Sequence, residues 1–294
     1  MKPFLERLQT KEILVADGAM GSFLFQRGLK SGESPESINL KDPNVLVEIA
    51  TLYFNAGADI VQTNSFGGSP LKLSHYGLEE KTEEINQTAA QCVRQVVGDK
   101  GYVSGSCGPT GQMLKPLGVI ETDEMREGFQ RQIKGLIEGG VDIICVETMT
   151  DLNEAKLAVQ AAKSLAPDMP VMATMTFDPT PRGFFTVMGI SISQAVQGLT
   201  EAGADILGSN CGNGLEKMIQ IAREFRKFTK LPLIIQSNAG KPEMKEGKLV
   251  YPEDPSFFEK RVKDLAQAGV SIIGGCCGTT PEHIQAIRKA VDSL

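Results

Sequence analysis

Two adjacent cysteines in a glycine frame, Gly274-Gly275-Cys276-Cys277-Gly278, end an apolar run near the C-terminus, and a third, Cys211, follows another apolar run in Ser209-Asn210-Cys211-Gly212. Zinc binds thiolates tetrahedrally, and a site with only three protein ligands keeps its fourth position for water or substrate. Three thiols delivered by two strand ends therefore read as a metal site with one open position, suited to chemistry on a thiol or at a metal-bound water. Neighbouring strand residues face opposite sides of a sheet, so Cys276 and Cys277 reach one ion only where the chain leaves strand geometry. Glycines on both flanks permit that departure. A redox pair or simple packing is the competing reading, since cysteine is among the most often buried residue types. A disulfide within the vicinal pair is disfavoured by the Cα separation and torsion a disulfide needs. Cys92 and Cys145 sit inside apolar patterns and read as core, while Cys107 ends a further apolar run.

Two carboxylates occupy similar places. Glu147 ends the run Ile143-Ile144-Cys145-Val146, which carries its side chain to the edge of an apolar interior. An unpaired charge there is costly, so it requires either an ammonium group on a substrate or a nearby Lys or Arg. Asp17 invites the same argument, and Gly18 and Gly21 beside it offer backbone N–H groups able to hold a carboxylate, unless the turn is purely structural. Thr279-Thr280-Pro281-Glu282 reads as a helix start with a Thr cap and Pro at the first helical position, which accounts for His283 as well. With His75 the only other histidine, a His-based nucleophilic triad has little to draw on. Neither the dinucleotide-binding glycine fingerprint nor the phosphate-binding loop motif occurs.

The elements that must position these residues repeat. Eight apolar runs, rich in Val and Ile, fall at 13–17, 59–63, 102–106, 142–147, 171–176, 205–209, 232–237 and 271–275. Their lack of alternation suits parallel strands covered on both faces. Segments with helical periodicity follow at about 44–56, 81–97, 122–138, 152–165, 191–202, 214–228, 255–268 and 281–292. Ala56-Gly57-Ala58-Asp59, Gly139-Gly140-Val141-Asp142, Ala202-Gly203-Ala204-Asp205 and Ala268-Gly269-Val270-Ser271 recur at four helix-to-strand joints, where glycine takes the left-handed conformation after a last turn. Eight such units predict an α/β fold, a (β/α)8 TIM barrel forming a single domain over 1–294, in preference to a doubly wound open sheet. The unusual polar residues fall at C-terminal strand ends, the rim from which barrels build active sites.

Composition narrows the function classes. The 294 residues are 41% hydrophobic and 22% charged, with net charge −6, so the clustered cations of a nucleic-acid surface are not expected. The N-terminus lacks the apolar stretch of a signal peptide and no run approaches a membrane span. The expectation is a cytoplasmic protein with reduced thiols that engages neither nucleic acid nor membrane.

Asp17-Gly18-Ala19-Met20-Gly21, Thr63-Asn64-Ser65-Phe66, Glu147-Thr148-Met149, Asn210-Cys211-Gly212 and Gly274-Gly275-Cys276-Cys277-Gly278-Thr279-Thr280-Pro281 occur in an order that resembles the homocysteine S-methyltransferase family over nearly the whole chain. Ser237-Asn238-Ala239-Gly240-Lys241-Pro242 followed by Val250-Tyr251-Pro252 is most similar to the homocysteine-binding barrels of cobalamin-dependent members. The resemblance implies that Cys211, Cys276 and Cys277 hold zinc with homocysteine sulfur as fourth ligand, that Glu147 takes the substrate amine, and that Asp17, Gly18, Ala19 and Thr63 line the amino-acid pocket. Asn238 would occupy the open position when substrate is absent. After Phe177-Asp178 the chain departs from the family pattern and reads Thr186-Val187-Met188-Gly189-Ile190, which makes the mouth more apolar. With no folate or corrinoid module in the 294 residues, methylcobalamin as donor would arrive on another domain or protein, with Phe184 and Phe185 beside Met188 either apolar contacts for it or loop anchors packed on the barrel. The alternatives are S-methylmethionine or a betaine bound within the barrel, or a zinc module that binds a thiol without turnover.

Overall fold

Short aliphatic runs form eight parallel strands: β1 (Leu14–Val15), β2 (Ile60–Gln62), β3 (Tyr102–Cys107), β4 (Ile143–Met149), β5 (Val171–Met175), β6 (Ile206–Asn210), β7 (Leu233–Ser237) and β8 (Ile272–Gly275). This is a computed structural model that describes residues 2–30, 32–245 and 248–294. The strands pair in the order β1-β8-β7-β6-β5-β4-β3-β2. A parallel bridge between Ala16 and Ile60, flanked by bonds from Asp17 N–H to the Ile60 carbonyl (3.0 Å) and Asp59 N–H to the Val15 carbonyl (2.7 Å), joins β2 to β1 and closes the barrel. Outside lie α1 (Pro43–Asn55), α2 (Thr82–Val97), α3 (Thr122–Glu138), α4 (Leu152–Leu165), α5 (Ile192–Ala202), α6 (Leu215–Arg226), α7 (Pro255–Gln267) and α8 (Pro281–Val291). The (β/α)8 architecture expected from the eight repeats is the one observed.

Strand residues alternate between two apolar environments, as the period of two demands. Val61, Val103, Val146, Leu207 and Ile235 face outward into the layer shared with the helices. Ile60, Tyr102, Ile143, Cys145, Met172, Ile206, Ile234 and Ile272 face inward, where Phe4 and Leu8 of a short helix, Phe4–Gln9, plug the N-terminal end. Further along the same inward rows come Gln62, Ser104, Thr174 and Gln236, then Ser106, Glu147 and Asn210, all buried or nearly so. The barrel interior thus passes from hydrocarbon to hydrogen-bonding groups toward its C-terminal end.

Three of the four recurring joints share one device. Asp59, Asp142 and Asp205 each donate N–H to, and accept N–H from, one residue of the preceding strand: Val15, Val103 and Val171, with the carboxylate bonds at 2.9, 2.7 and 2.9 Å. Each carboxylate also takes a cation from a helix: Arg288 of α8 (3.0 Å), Arg94 of α2 (2.6 Å) and Lys163 of α4 (2.8 Å). The fourth joint has Ser271 in place of Asp, and there Arg226 of α6 donates to the Gly269 carbonyl instead, at 2.8 Å. Glycines 57, 140, 203 and 269 all have positive φ, as the joint pattern predicts.

The observed elements go beyond the expected ones, with short helices such as Gly21–Gln26, Ile38–Lys41 and Pro70–Leu73 in the loops, the plug helix and two hairpins. The plug helix is too short for a periodic signal. The hairpins, Asp178–Thr180 with Gly183–Phe185 and Glu243–Lys245 with Lys248–Val250, rise from the loops after β5 and β7, and three-residue strands carry no readable alternation.

Asp59 also binds Arg7 at 2.8 Å, so it fastens the barrel closure, the plug helix and α8 together. Asp59→Ala is expected to lower unfolding free energy by about 2–3 kcal/mol, the scale of a lost set of charged hydrogen bonds. Glu216→Ala, which breaks an exposed pair with Arg261, should cost less than about 0.5 kcal/mol. Chemical denaturation of both variants makes the comparison, and equal small effects would contradict the fastening role.

Candidate metal centre and amine pocket

Cys211 follows β6, and Cys276 and Cys277 follow β8, so the three thiols meet over the C-terminal end of the barrel. All their sulfurs lie within 4.8 Å of one another, with Cys211 and Cys277 at 3.8 Å. A tetrahedral ion with metal–sulfur bonds of about 2.3 Å requires sulfurs about 3.8 Å apart, so the cluster fits zinc. The three cysteines are half-buried, which leaves an approach from the mouth.

The backbone breaks needed for this convergence are visible. Cys211 has φ 61°, a left-handed value rare for a side chain of its kind, and Gly212 follows at φ 73°. Cys276 donates its N–H to the Ser237 carbonyl (2.7 Å), while the Cys277 carbonyl accepts from Ala239 N–H (3.0 Å). Gly278 turns at φ 80°, and a Cβ there would lie 2.1 Å from the Tyr251 ring, so Tyr251 covers the vicinal cysteines closely. Hydrogen bonds from Cys276 and Cys277 pull the Cys211 thiol well below the ordinary thiol range, and burial opposes them. The counterpart is a rise at Cys277 to about 11, because its hydrogen bond to Cys211 holds its proton.

Glu147 reaches the same space through a bulge. In the β4–β5 ladder Val146 pairs with Ala173 and Met149 with Met175, so three steps along β4 oppose two along β5. Thr148 stands in the bulge at φ 59°, an uncommon value for a β-branched residue. The Glu147 carboxylate accepts from Ser106 Oγ, from Gln62 Nε2 (3.1 Å) and from Asn210 Nδ2 (3.1 Å). All three partners are neutral. Burial lifts this carboxyl to about 7, with the Ser106 bond opposing and the Cys211 charge adding.

Asp17 is the second carboxyl in the pocket. Its Oδ2 accepts from Gln62 N–H at 2.8 Å, and its Oδ1 is buried without a partner. Burial raises it to about 8, the Gln62 N–H opposes, and the nearby Glu147 charge raises it further. Among the described residues no Lys, Arg or His pairs with either group, so the charge is balanced by protons until a cation arrives.

The remaining predicted residues frame the pocket. Gly18 is packed so that a Cβ would meet Thr279 Oγ1 at 2.7 Å and Tyr53 at 2.9 Å. Ala19 N–H donates to Thr279 Oγ1 (3.2 Å) and its carbonyl accepts from Tyr53 Oη (2.7 Å), which stitches the Asp17 loop to the cysteine loop. The Thr63 hydroxyl accepts from Ser106 N–H (3.1 Å) and lies 2.5 Å from Ser65 Oγ, so it orients Ser106 beneath Glu147. Asn238 Oδ1 is a buried, unpartnered oxygen next to the cysteines, and the Asn238 side chain hydrogen-bonds Cys211. His283 caps α8 with Thr280, as expected, and Cys107 and Cys145 are fully buried. Phe184 packs on the core, so the exposed apolar groups of its loop are Val187 and Met188. Sequence reasoning singled out neither Gln62 nor Ser106 and gave Asn210 no role. The signal that could have found them is parity, since each lies on an inward row of its strand.

Over residues 14–291 the chain matches the family model described as homocysteine S-methyltransferase. It is 33% identical over 300 residues to the methionine synthase of Mycobacterium leprae (strain TN), covering 96% of this chain and 24% of that protein. The methionine synthase of Mycobacterium tuberculosis (strain ATCC 25618 / H37Rv) is 32% identical over 304 residues, covering 97% of this chain and 25% of that protein. The chain thus spans about a quarter of the length of these relatives. Among solved structures, the metallated form of the homocysteine methyltransferase MmuM from Escherichia coli shares the fold with TM-score 0.81 and 22% identity, over 98% of this chain and 99% of that one. Because the family model runs from β1 to the last residue of α8, this chain belongs to the homocysteine S-methyltransferase family.

Proposed function

We propose that this barrel binds zinc at Cys211, Cys276 and Cys277, seats homocysteine with its sulfur at the open position, and presents the thiolate to a methyl group carried by a corrinoid on another domain or protein, giving methionine. The observation that carries this reading is the meeting of three convergent thiols with two buried carboxyls that have no protein counter-ion. An α-amino thiol answers both halves of the pocket.

Zinc bound there supplies a deprotonated substrate thiol at neutral pH, where a free thiol of pKa about 8.5 is mostly protonated. The chain's own residues do the rest. Glu147, aimed by Ser106, Gln62 and Asn210, accepts the substrate ammonium, and Asp17 adds negative charge on the same side. Fixing both the amine and the sulfur end leaves the thiolate one direction of approach to the methyl carbon, which is the positional part of the catalysis.

The donor follows from what lines the mouth. An aromatic cage attracts sulfonium and quaternary ammonium groups through ring quadrupoles, and this chain has no tryptophan and four tyrosines. The loops after β2, β3, β5 and β7 instead expose Phe66, Met113, Leu117, Val119, Val187, Met188 and Met244. An apolar rim of this kind suits a docked partner. The names of the mycobacterial relatives, matched over a quarter of their length, agree with a barrel that works beside further domains. No helix among the described residues is long and apolar enough to cross a membrane.

Purified protein is expected to hold one zinc per chain, measured by elemental analysis, and Cys211→Ser, Cys276→Ser and Cys277→Ser should each lose most of it. Full occupancy in all three would end the metal assignment.

Glu147→Gln should keep zinc but weaken homocysteine binding by about 1.5–3 kcal/mol, with little change for the des-amino thiol 4-mercaptobutyrate. The pH dependence has a definite sign. Glu147 and Asp17 are raised to about 7 and about 8, so protons occupy the pocket below those values and must leave before an ammonium is accepted. The preference for homocysteine over 4-mercaptobutyrate, read by calorimetry, should therefore grow from about pH 6 to about pH 8 and decline at higher pH as the substrate ammonium itself loses its proton. A preference that falls over that range would contradict the assignment.

Methionine should form from homocysteine and methylcobalamin, with zinc required, and betaine should give little or none. Robust turnover with betaine or S-methylmethionine, and none with methylcobalamin free or carrier-bound, would overturn the choice of donor alone.

A further inference from the structure

Asn210 is the last residue of β6, fully buried and adjacent to Cys211. Its side chain leaves that strand and enters the bulge of β4. Oδ1 accepts from Thr148 N–H (2.8 Å) and from Thr174 Oγ1 (2.8 Å), while Nδ2 donates to Thr148 Oγ1 (2.7 Å) and to Glu147 Oε2 (3.1 Å). Its carbonyl accepts from Thr176 Oγ1 at 3.0 Å. The amide therefore supplies the backbone partner that the bulge denies Thr148, and it fixes the rotation of the Glu147 carboxylate.

Two residues beside Asn210 are left-handed without being glycine: Thr148, which its amide bonds, at φ 59°, and Cys211, its neighbour in the chain, at φ 61°. Such conformations are costly and persist only where surrounding contacts over-determine them. At Thr148 those contacts come from Asn210. At Cys211 they come from the strand end that Asn210 anchors, together with a bond from Cys211 N–H to the Gln236 carbonyl (3.1 Å).

We propose that Asn210 is a positioning residue shared by the two halves of the site, one amide setting both the carboxylate that takes the amine and the backbone turn that presents the first metal-binding thiol. Its amide bonds go to Thr148, Thr174 and Glu147, so it acts through them. This inference rests on the zinc–homocysteine reading above.

Asn210→Ala and the milder Asn210→Ser are compared with Ser106→Ala, which removes a partner of Glu147 without touching β6. Zinc affinity is read by competition with a chromophoric chelator, amine recognition by the ratio of homocysteine to 4-mercaptobutyrate affinity, and folding by circular dichroism. Asn210→Ala is expected to weaken zinc by about tenfold, the lower end for residues that orient metal ligands, and to reduce the amine ratio by a similar factor. Asn210→Ser, which keeps one hydrogen-bonding atom, should lie between it and the wild type, and it carries the test if the alanine variant does not fold. Ser106→Ala should lower the amine ratio and leave zinc within twofold. If folded Asn210 variants bind zinc as tightly as the wild type, or if Ser106→Ala weakens zinc equally, the shared role is overturned. A wild-type protein that holds no zinc, or shows no preference for homocysteine, would instead remove the functional reading and this inference with it.

Discussion

Negative charge confined at one end of a barrel without a protein cation is the constraint on which the rest of the site depends. Three thiols, Glu147 and Asp17 share the space above the Gln62, Thr174 and Gln236 layer. Such groups cannot all ionise in a buried setting: burial raises both carboxyls, while hydrogen bonds among the sulfurs raise Cys276 and Cys277 and draw Cys211 down. On the reading proposed above, two cations would resolve the conflict, a metal among the sulfurs and an ammonium at the carboxylates. A ligand set that brings positive charge at two places a fixed distance apart is a stronger specification than three cysteines alone.

Holding that arrangement requires backbone that ordinary strands do not provide. Cys211, Thr148 and Gly278 take left-handed φ values, and each is pinned by a neighbour: Gln236 at Cys211, Asn210 at Thr148, and the Tyr251 ring over Gly278. The opposite end of the barrel is tied by the aspartate joints and the Phe4–Gln9 plug. Rigidity below is what allows strain above, since strained residues persist only where their surroundings leave them no alternative.

Much of this was legible in the sequence, for identifiable reasons. Parallel strands covered on both faces are continuous apolar runs, and a joint of Gly, then Ala or Val, then Asp or Ser recurs four times and marks the repeat, so eight strands and eight outer helices could be placed to within a few residues. The cysteines stood out because glycines framed them. What escaped were features that depend on long-range pairing: the bulge at Glu147 and Thr148, which no local pattern encodes, and the partners Gln62, Ser106 and Asn210, which come together only on closure. Phe184 was legible only as two alternatives, a contact at the mouth or a loop anchor packed on the barrel, and it takes the second.

The division of labour between barrel and rim follows from solvent. A thiolate in open water is stabilised by hydration that must be shed before it attacks carbon, whereas a pocket whose fixed dipoles replace that hydration needs no such rearrangement, provided water is kept out. Asn238, a neutral amide hydrogen-bonded to Cys211, is a fixed dipole of the kind the first requirement asks for. The half-buried cysteines leave the second unmet by the chain itself, because the thiol cluster opens toward a mouth bordered by Phe66, Met113, Val187 and Met188. An apolar border excludes water only when something apolar is pressed against it. A donor that arrives on a large carrier would close the site and deliver the methyl group in one step, and a small cationic donor would have to enter a pocket that stayed wet.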